Sequence, residues 1–437
     1  MDKKTGLYIH FPFCVQKCNY CAFLSFNADE SVRRDYANAL MREIELAGQR
    51  YSGQISTIYF GGGTPSIMDV SLMSLIMKAI KRNFDVLPEA EITIEANPGT
   101  LGIKDRVVRA KLIAYRSMGI NRLSMGVQSM DNNRLHMLGR IHTAENVVRD
   151  VAIARELGFS NINLDLIFSV PGETTAEALE DARKIIDLGP EHISCYSLQL
   201  EEGTPFYEMA EQGRISEVPD EEDRETYHRI TDLLRESGYE HYEISNFARM
   251  DDGMTTGGRT PGFVSERDEA GGAGGTDRSP FRSQHNSLYW NLDNYIGLGL
   301  GASGFMGGIR YRKTDDIEEY MRILADGQLP VMEEKINSPF DNISEAVFTG
   351  LRRREGITYE EAKAAYLLGS VQGATVSGMI EGAEEMTAKD LFWDVFRESR
   401  AEAEEYADRG LLVMDDQGLK LTEQGVDISN GIMSLFV

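Results

Sequence analysis

Cys14, Cys18 and Cys21 fall together in the stretch "CVQKCNYC", and the chain's remaining cysteine, Cys195, lies far downstream in an apparent core strand. Thiolates select zinc, copper(I) or iron–sulfur clusters. A structural zinc site calls for a fourth Cys or His at a second short spacing, and no such pair follows. A disulfide would leave one of the three thiols over. Three sulfurs on one compact loop suit three corners of a cubane [4Fe–4S] cluster. The fourth iron then stays open to a ligand from outside the chain. Cys195 reads as a buried, inert thiol.

Other residues carry chemistry-bearing groups at suggestive places. "FGGGTPS" (60–66) brings three glycines, which let backbone N–H and C=O groups approach a ligand closely. Alone, such a run is equally a tight turn between strand and helix. Glu95 and Gln128 end strand-like runs, Arg140 follows the second of these, and Asp165 lies on the next. Polar groups on otherwise apolar strands need partners, and any one of these is more often satisfied by a local hydrogen bond. Their coincidence at one end of an α/β sheet, beside the cysteine loop, makes a coherent polar pocket. "HNSLYW" (285–290) offers the His285 imidazole and the flat faces of Tyr289 and Trp290, which suit a porphyrin. A histidine beside aromatics is nevertheless more often a packed residue. His10, next to the cysteine loop, reads as support for it; His136, His142, His192, His228 and His241 read as structural.

The elements that must position these groups alternate strictly up to about residue 240. Strand-like runs at 6–11, 56–60, 91–97, 122–128, 161–170 and 192–200 are separated by segments with apolar residues at three- and four-residue spacing. Six β/α units in a row predict a parallel sheet with right-handed crossovers, either doubly wound or a barrel. Residues 251–283 are rich in Gly, Thr, Ser and charge, and read as a loose insertion; 367–387 read as a second. The tail reads as helix, a hairpin through Asp416-Gln417-Gly418, then helix. The expected division is 1–245, 246–283 (flexible, Gly-rich), 284–335 (carrying the HNxxYW motif) and a mainly helical, winged-helix-like 336–437.

The totals narrow the classes of function. Among 437 residues, 42% are hydrophobic and the formal net charge is −25. That composition fits a globular protein with a sizeable core and argues against a nucleic-acid groove. No apolar run reaches membrane-spanning length, so no span is expected. The start lacks the pattern of a signal peptide, and the sparse, clustered cysteines suit a reducing compartment. A cytoplasmic protein is expected.

With those residues in view, Cys14-x₃-Cys18-x₂-Cys21 with Tyr20 before the last cysteine resembles the signature of the radical S-adenosylmethionine (SAM) superfamily. "YIHFPFC", "GGGTPS", "ITIEANPGT", "INRLSMGVQS", "LGRIHT", "NLDLIFSVPGET", "YEISNFA" and "HNSLYW" extend the likeness over most of 7–305. Together they resemble the oxygen-independent coproporphyrinogen III oxidase-like family, most closely its heme-chaperone branch. The oxidases carry a further cysteine two residues after the third; this chain has Phe23 there. The resemblance implies an α/β fold, a partial (β/α)6 radical SAM barrel with the helical C-terminal domain appended. It implies a [4Fe–4S] cluster on Cys14, Cys18 and Cys21, and SAM held by Tyr8, Tyr20, Gly62, Gly63, Thr64, Glu95, Gln128, Arg140 and Asp165. Heme is assigned to His285, Tyr289 and Trp290. The expected function is heme binding and transfer to an acceptor protein, with an electron donor for the cluster as a further partner and a place in porphyrin metabolism. Coproporphyrinogen oxidase activity is not expected; the alternative is an oxygen-independent coproporphyrinogen III dehydrogenase, decarboxylating propionate side chains through SAM-derived radical chemistry. The insertion at 251–283 departs from the family pattern.

Overall fold

The computed structural model of the chain describes residues 5–250, 278–368 and 379–437. Residues 251–277 and 369–378, most of the first expected insertion and about half of the second, lie outside the described residues.

Six strands follow one another in chain order and pair in parallel: β1 (Thr5–Phe11), β2 (Gln54–Gly62), β3 (Asp85–Ala96), β4 (Arg122–Gln128), β5 (Ile162–Phe168) and β6 (His192–Ser197). Helices Glu30–Arg50, Val70–Asn83, Asp105–Met118, Ala144–Glu156 and Thr175–Asp187 make the crossovers. Each periodic segment predicted from the sequence is therefore a helix, and each predicted strand is present. Local chemistry starts several of the helices. Asp69 accepts the Ser71 N–H at 2.8 Å, and Thr174 and Glu177 form a reciprocal capping box.

Side-chain alternation along the strands sorts the two faces. Ile58 and Phe60, Ile92 and Ile94, Leu123 and Met125, and Leu164 and Leu166 are all buried in the main core. The intervening positions turn to the other face and are largely polar: Thr57 and Tyr59, Glu91 and Glu95, Arg122 and Ser124, Asn163 and Asp165. A parallel sheet buried against apolar layers on both faces would read as continuous Val, Ile and Leu. This one keeps a polar interior.

The sheet continues past both ends of the six. Beyond β6 run β8 (Asn246–Arg249) and β7 (Tyr239–Glu243), both antiparallel to their neighbours. On the other side, β9 (Asn294–Leu298) pairs in parallel with β1, followed by antiparallel β10 (Ser303–Met306), β11 (Ile309–Lys313) and β12 (Val331–Ile336). The stretch 284–335, expected as a separate extension, thus supplies four of twelve strands of one sheet. Gly297 permits the tight approach of β10, since a Cβ there would sit 2.0 Å from the Ser303 carbonyl oxygen. A buried charge cluster fixes the join. Glu43 accepts from Lys313 Nζ, from Tyr320 at 2.6 Å and from the Gly299 N–H at 2.7 Å.

Residues 278–283 were expected within the loose insertion but are packed. Ser279 and Ser283 are buried, and Arg282 pairs with Glu240 and Glu355. Likewise 379–387 folds back onto helix Tyr359–Tyr366, where Lys363 donates to the Glu384 and Met386 carbonyls. Composition missed both because a few well-placed charges anchor otherwise turn-rich chain. The C-terminal region is mainly helical, with a small sheet of β13 (Ile357–Thr358), β15 (Gly418–Leu421) and β14 (Leu412–Met414). The expected hairpin is present, its turn closed by Asp415 accepting from Gln417 and Gly418.

Candidate functional site

The loop after β1 carries the three cysteines, all partly exposed and none in a disulfide. Backbone bonds hold the loop at both ends. Cys14 N–H donates to the Phe26 carbonyl at 3.0 Å, Asn19 N–H to Leu138 at 3.0 Å, and Phe206 N–H to Asn19 at 2.9 Å. Gln16 and Asn19 side chains reach the Gly139 and Met137 carbonyls. His10 lies beside the loop, its ring bonded to Tyr8 at 3.0 Å and to the Leu24 carbonyl at 3.0 Å.

Across from the cysteines stands the glycine turn at the end of β2. Gly63 and Thr64 N–H groups donate to the Phe11 and Phe13 carbonyls at 2.7 and 2.8 Å. Gly63 has no substitute there, because a Cβ would lie 2.6 Å from the Phe13 carbonyl oxygen. Cys14 Sγ comes within 3.6 Å of Thr64 Oγ1. The two loops thus enclose a cavity of about 410 Å³ lined by Cys14, Cys18, Cys21, Tyr20, Gly62, Gly63, Thr64, Glu95, Gln128, Arg140 and Asp165. Of the residues assigned to SAM from sequence, Tyr8 alone does not line it. Its ring stacks on Tyr59 one layer behind.

The polar groups of this cavity are tied to one another. Glu95 accepts from Tyr59 at 2.9 Å and from the Gly62 N–H at 3.1 Å. Burial, the largest influence, pushes its carboxyl up to about 7 against the pull of the Tyr59 bond. Burial likewise raises Asp165, which accepts from Asn163 at 2.7 Å. Arg140 donates to Cys18 Sγ at 3.4 Å, to the Gly126 carbonyl and to Asn97, which in turn donates to Thr64 at 2.8 Å. Gln128 holds a left-handed backbone conformation at φ 69°, and its side-chain oxygen is buried without a partner. Backbone strain with an orphaned acceptor is a common mark of a binding position.

These features fit an iron–sulfur cluster with a ligand beside it. Three free thiols face the cavity, a guanidinium stands by one of them, and the glycine turn lines the same space. Burial, with a smaller contribution from the neighbouring cysteines, raises the Cys21 thiol against the pull of a backbone bond from Phe23. Among the described residues no three His, Cys, Asp or Glu side chains converge on one point as a single-ion site requires. A cubane takes its thiolates at separate corners, which is a different demand.

The HNxxYW motif sits elsewhere. Helix Gln284–Trp290 packs against the early parts of β1 and β2, at the floor of the sheet's polar face. Its first turn is capped by Ser283, and Glu91 accepts the Gln284 and His285 N–H groups at 3.3 and 3.1 Å. His285 is packed in the interior, 1% exposed. Its ring bonds Thr57 at 2.7 Å and Tyr289 at 2.8 Å, so both nitrogens are engaged. Burial brings the imidazole down to about 3, which keeps it neutral. Tyr289 packs edge-on against His285, and the Arg352 guanidinium lies over Trp290 at 4.7 Å. Asn286 is the motif residue that reaches the cavity.

Sequence reasoning missed Tyr59, Asn97, Arg122 and Asn163. All sit within the quoted strands, Asn97 and Asn163 one alternation from Glu95 and Asp165, Tyr59 and Arg122 farther from any residue that was chosen. Their signal was the polar member of each alternating pair. Among the described residues no helix is long and apolar enough to cross a membrane.

Comparison with known proteins bears on this geometry. Residues 8–185 match the radical SAM superfamily model. The chain is 29% identical to heme chaperone HemW of Lactococcus lactis, covering 100% of this chain and 98% of that protein. It is 30% identical to heme chaperone HemW of Bacillus subtilis, covering 98% of each. Among solved structures, the radical SAM coproporphyrinogen III oxidase HemN of Escherichia coli superposes with a TM-score of 0.76 at 21% identity, over 100% of this chain and 90% of that one. That last likeness speaks to fold alone.

Proposed function

Because this chain belongs to the HemW-like family within the radical SAM superfamily, we propose that it binds heme and hands it to an acceptor protein in the cytoplasm, using a cluster site that also takes SAM. The observation that carries the reading is the convergence of the cysteine loop with Gly62, Gly63, Thr64, Glu95, Gln128, Arg140 and Asp165 on one cavity. Cys14, Cys18 and Cys21 would hold a [4Fe–4S] cluster, which when bound supplies single-electron chemistry and one iron with an exchangeable ligand; an electron donor would be a further partner.

The residues around it have distinct tasks. Arg140, set against Cys18 Sγ, offsets the charge of a thiolate. Glu95 presents a carboxylate to the ammonium end of SAM, and the glycine turn presents backbone groups beside it. Gln128 offers its free side-chain oxygen to a ligand hydroxyl. Phe23 is 70% exposed at the rim, where the oxidases carry a cysteine. Heme is assigned to the helix of His285, Tyr289 and Trp290. For His285 to meet iron, its ring gives up Thr57 or Tyr289 and the helix lifts from the floor, which couples heme capture to a local opening.

The test is heme titration of the anaerobically reconstituted protein with and without SAM, followed by transfer to an apo-acceptor, beside an assay on coproporphyrinogen III. Saturable heme binding and transfer without porphyrinogen turnover is expected. Robust formation of protoporphyrinogen overturns the chaperone reading in favour of the dehydrogenase.

A further inference from the structure

One buried cation in the barrel has no task so far. Arg122 opens β4, and alternation puts it on the same face as Ser124, Gly126 and Gln128, all of which line the cavity. It is 2% exposed and heads the largest fully buried side chains. Its Nε is buried without a partner, and among the described residues no hydrogen bond or ion pair reaches the guanidinium. Elsewhere on this face Asn163 bonds Ser124 and Asp165, and His192 bonds Asn163 and Tyr242, while the Thr93 hydroxyl and the Gln128 side-chain oxygen are neutral groups also left without partners.

Three carboxylates feel the charge of Arg122, but each is committed to other donors. Glu91 receives the Gln284 and His285 amides, Glu95 the Tyr59 hydroxyl and Gly62 amide, and Asp165 the Asn163 amide. A buried guanidinium left without acceptors carries a large desolvation cost. Its planar fork matches a carboxylate in two parallel bonds. The cavity is where such an acceptor can enter.

We propose that Arg122 is an anion anchor of the barrel interior, binding an aliphatic carboxylate of the ligand that occupies the cavity. This rests on the reading above of what enters it, which offers two sources of that group: the methionyl carboxylate of SAM and a propionate of heme. The guanidinium sets the ligand's depth and orientation, and the neighbouring carboxylates temper the local field without occupying the fork.

The wild-type protein tests this directly. SAM is compared with decarboxylated SAM, and heme with heme dimethyl ester, by titration of the reconstituted protein. The same ligands are then titrated against Arg122→Gln and Arg122→Lys, with thermal melts as the check on folding. Loss of the carboxylate is expected to weaken one pair about ten- to hundredfold in wild type, and Arg122→Gln to erase that preference. The pair affected names the source. Equal affinity within both pairs in wild type overturns the proposal, and so does a preference that survives unchanged in a folded Arg122→Gln. If neither variant folds, the wild-type comparison decides. Failure of wild type to bind either SAM or heme instead counts against the functional reading itself.

Discussion

At the mouth of the barrel the cysteines stay partly exposed, Gln128 keeps an acceptor free, and the glycine turn lines an open cavity. On the floor, His285 is buried with both ring nitrogens engaged, and Gly6 is needed because a Cβ would lie 2.7 Å from Leu288 and 2.9 Å from Thr57. Both regions carry residues that sequence motifs nominate as ligands. They differ in whether the ligating atoms already have partners. The mouth is arranged to receive something, whereas the floor must first be opened. A motif gives the type of ligand, and the partners of its atoms tell how much rearrangement binding entails.

Substitutions at the two places should therefore have opposite profiles. Cys14→Ala, Cys18→Ala or Cys21→Ala is expected to bring iron content of the reconstituted protein to background while leaving the melting temperature nearly unchanged, since these side chains contribute little to the core. A melt lowered as far as that of a core variant would erase the contrast. His285→Ala should do the reverse. It leaves the Thr57 and Tyr289 hydroxyls without their partner and should cost about 1–3 kcal/mol in denaturant unfolding, with iron content intact. Loss of heme binding in that variant supports the assignment of the motif; unchanged binding removes it.

A smaller effect sharpens the mouth. Glu95 titrates near 7 when folded, against 4.5 as its ordinary value. Between these values the folded chain holds a proton that the unfolded chain releases, so this group's contribution to stability falls as pH rises toward and through 7. A cationic ligand needs the ionised form, so SAM affinity should climb by up to about tenfold per pH unit below 7 and level off above it. Glu95→Gln should bind more weakly with a flat profile; a wild-type profile flat from pH 6 to 8 contradicts the assigned role. Least affected should be Cys195→Ala. Its thiol is 2% exposed and raised by burial, so iron content should stay unchanged with a loss of about 1 kcal/mol or less.

Much of the barrel was legible because alternation and helical period were regular from β1 to β6. The cysteine loop, the glycine turn and the polar strand ends gave the mouth almost completely, and the structure brings them to one cavity. The continuation of the sheet through β9–β12 was not legible. Its strands are short, and their pairing depends on contacts such as Glu43 with Lys313, which lie 270 residues apart in sequence. Arg122 escaped notice for a related reason: an arginine at a strand start reads as an exposed end, and its burial follows only from closure of the neighbouring strands around it.

The central claim is that the cysteine loop holds a cluster whose remaining iron accepts SAM. Electron paramagnetic resonance of the anaerobically reconstituted, reduced protein, recorded before and after SAM is added, tests it most directly. The account predicts a [4Fe–4S] signal whose g-values shift on addition of SAM, and no such signal after any single substitution of Cys14, Cys18 or Cys21. A full-strength signal indifferent to saturating SAM, or one that persists without these cysteines, would contradict it.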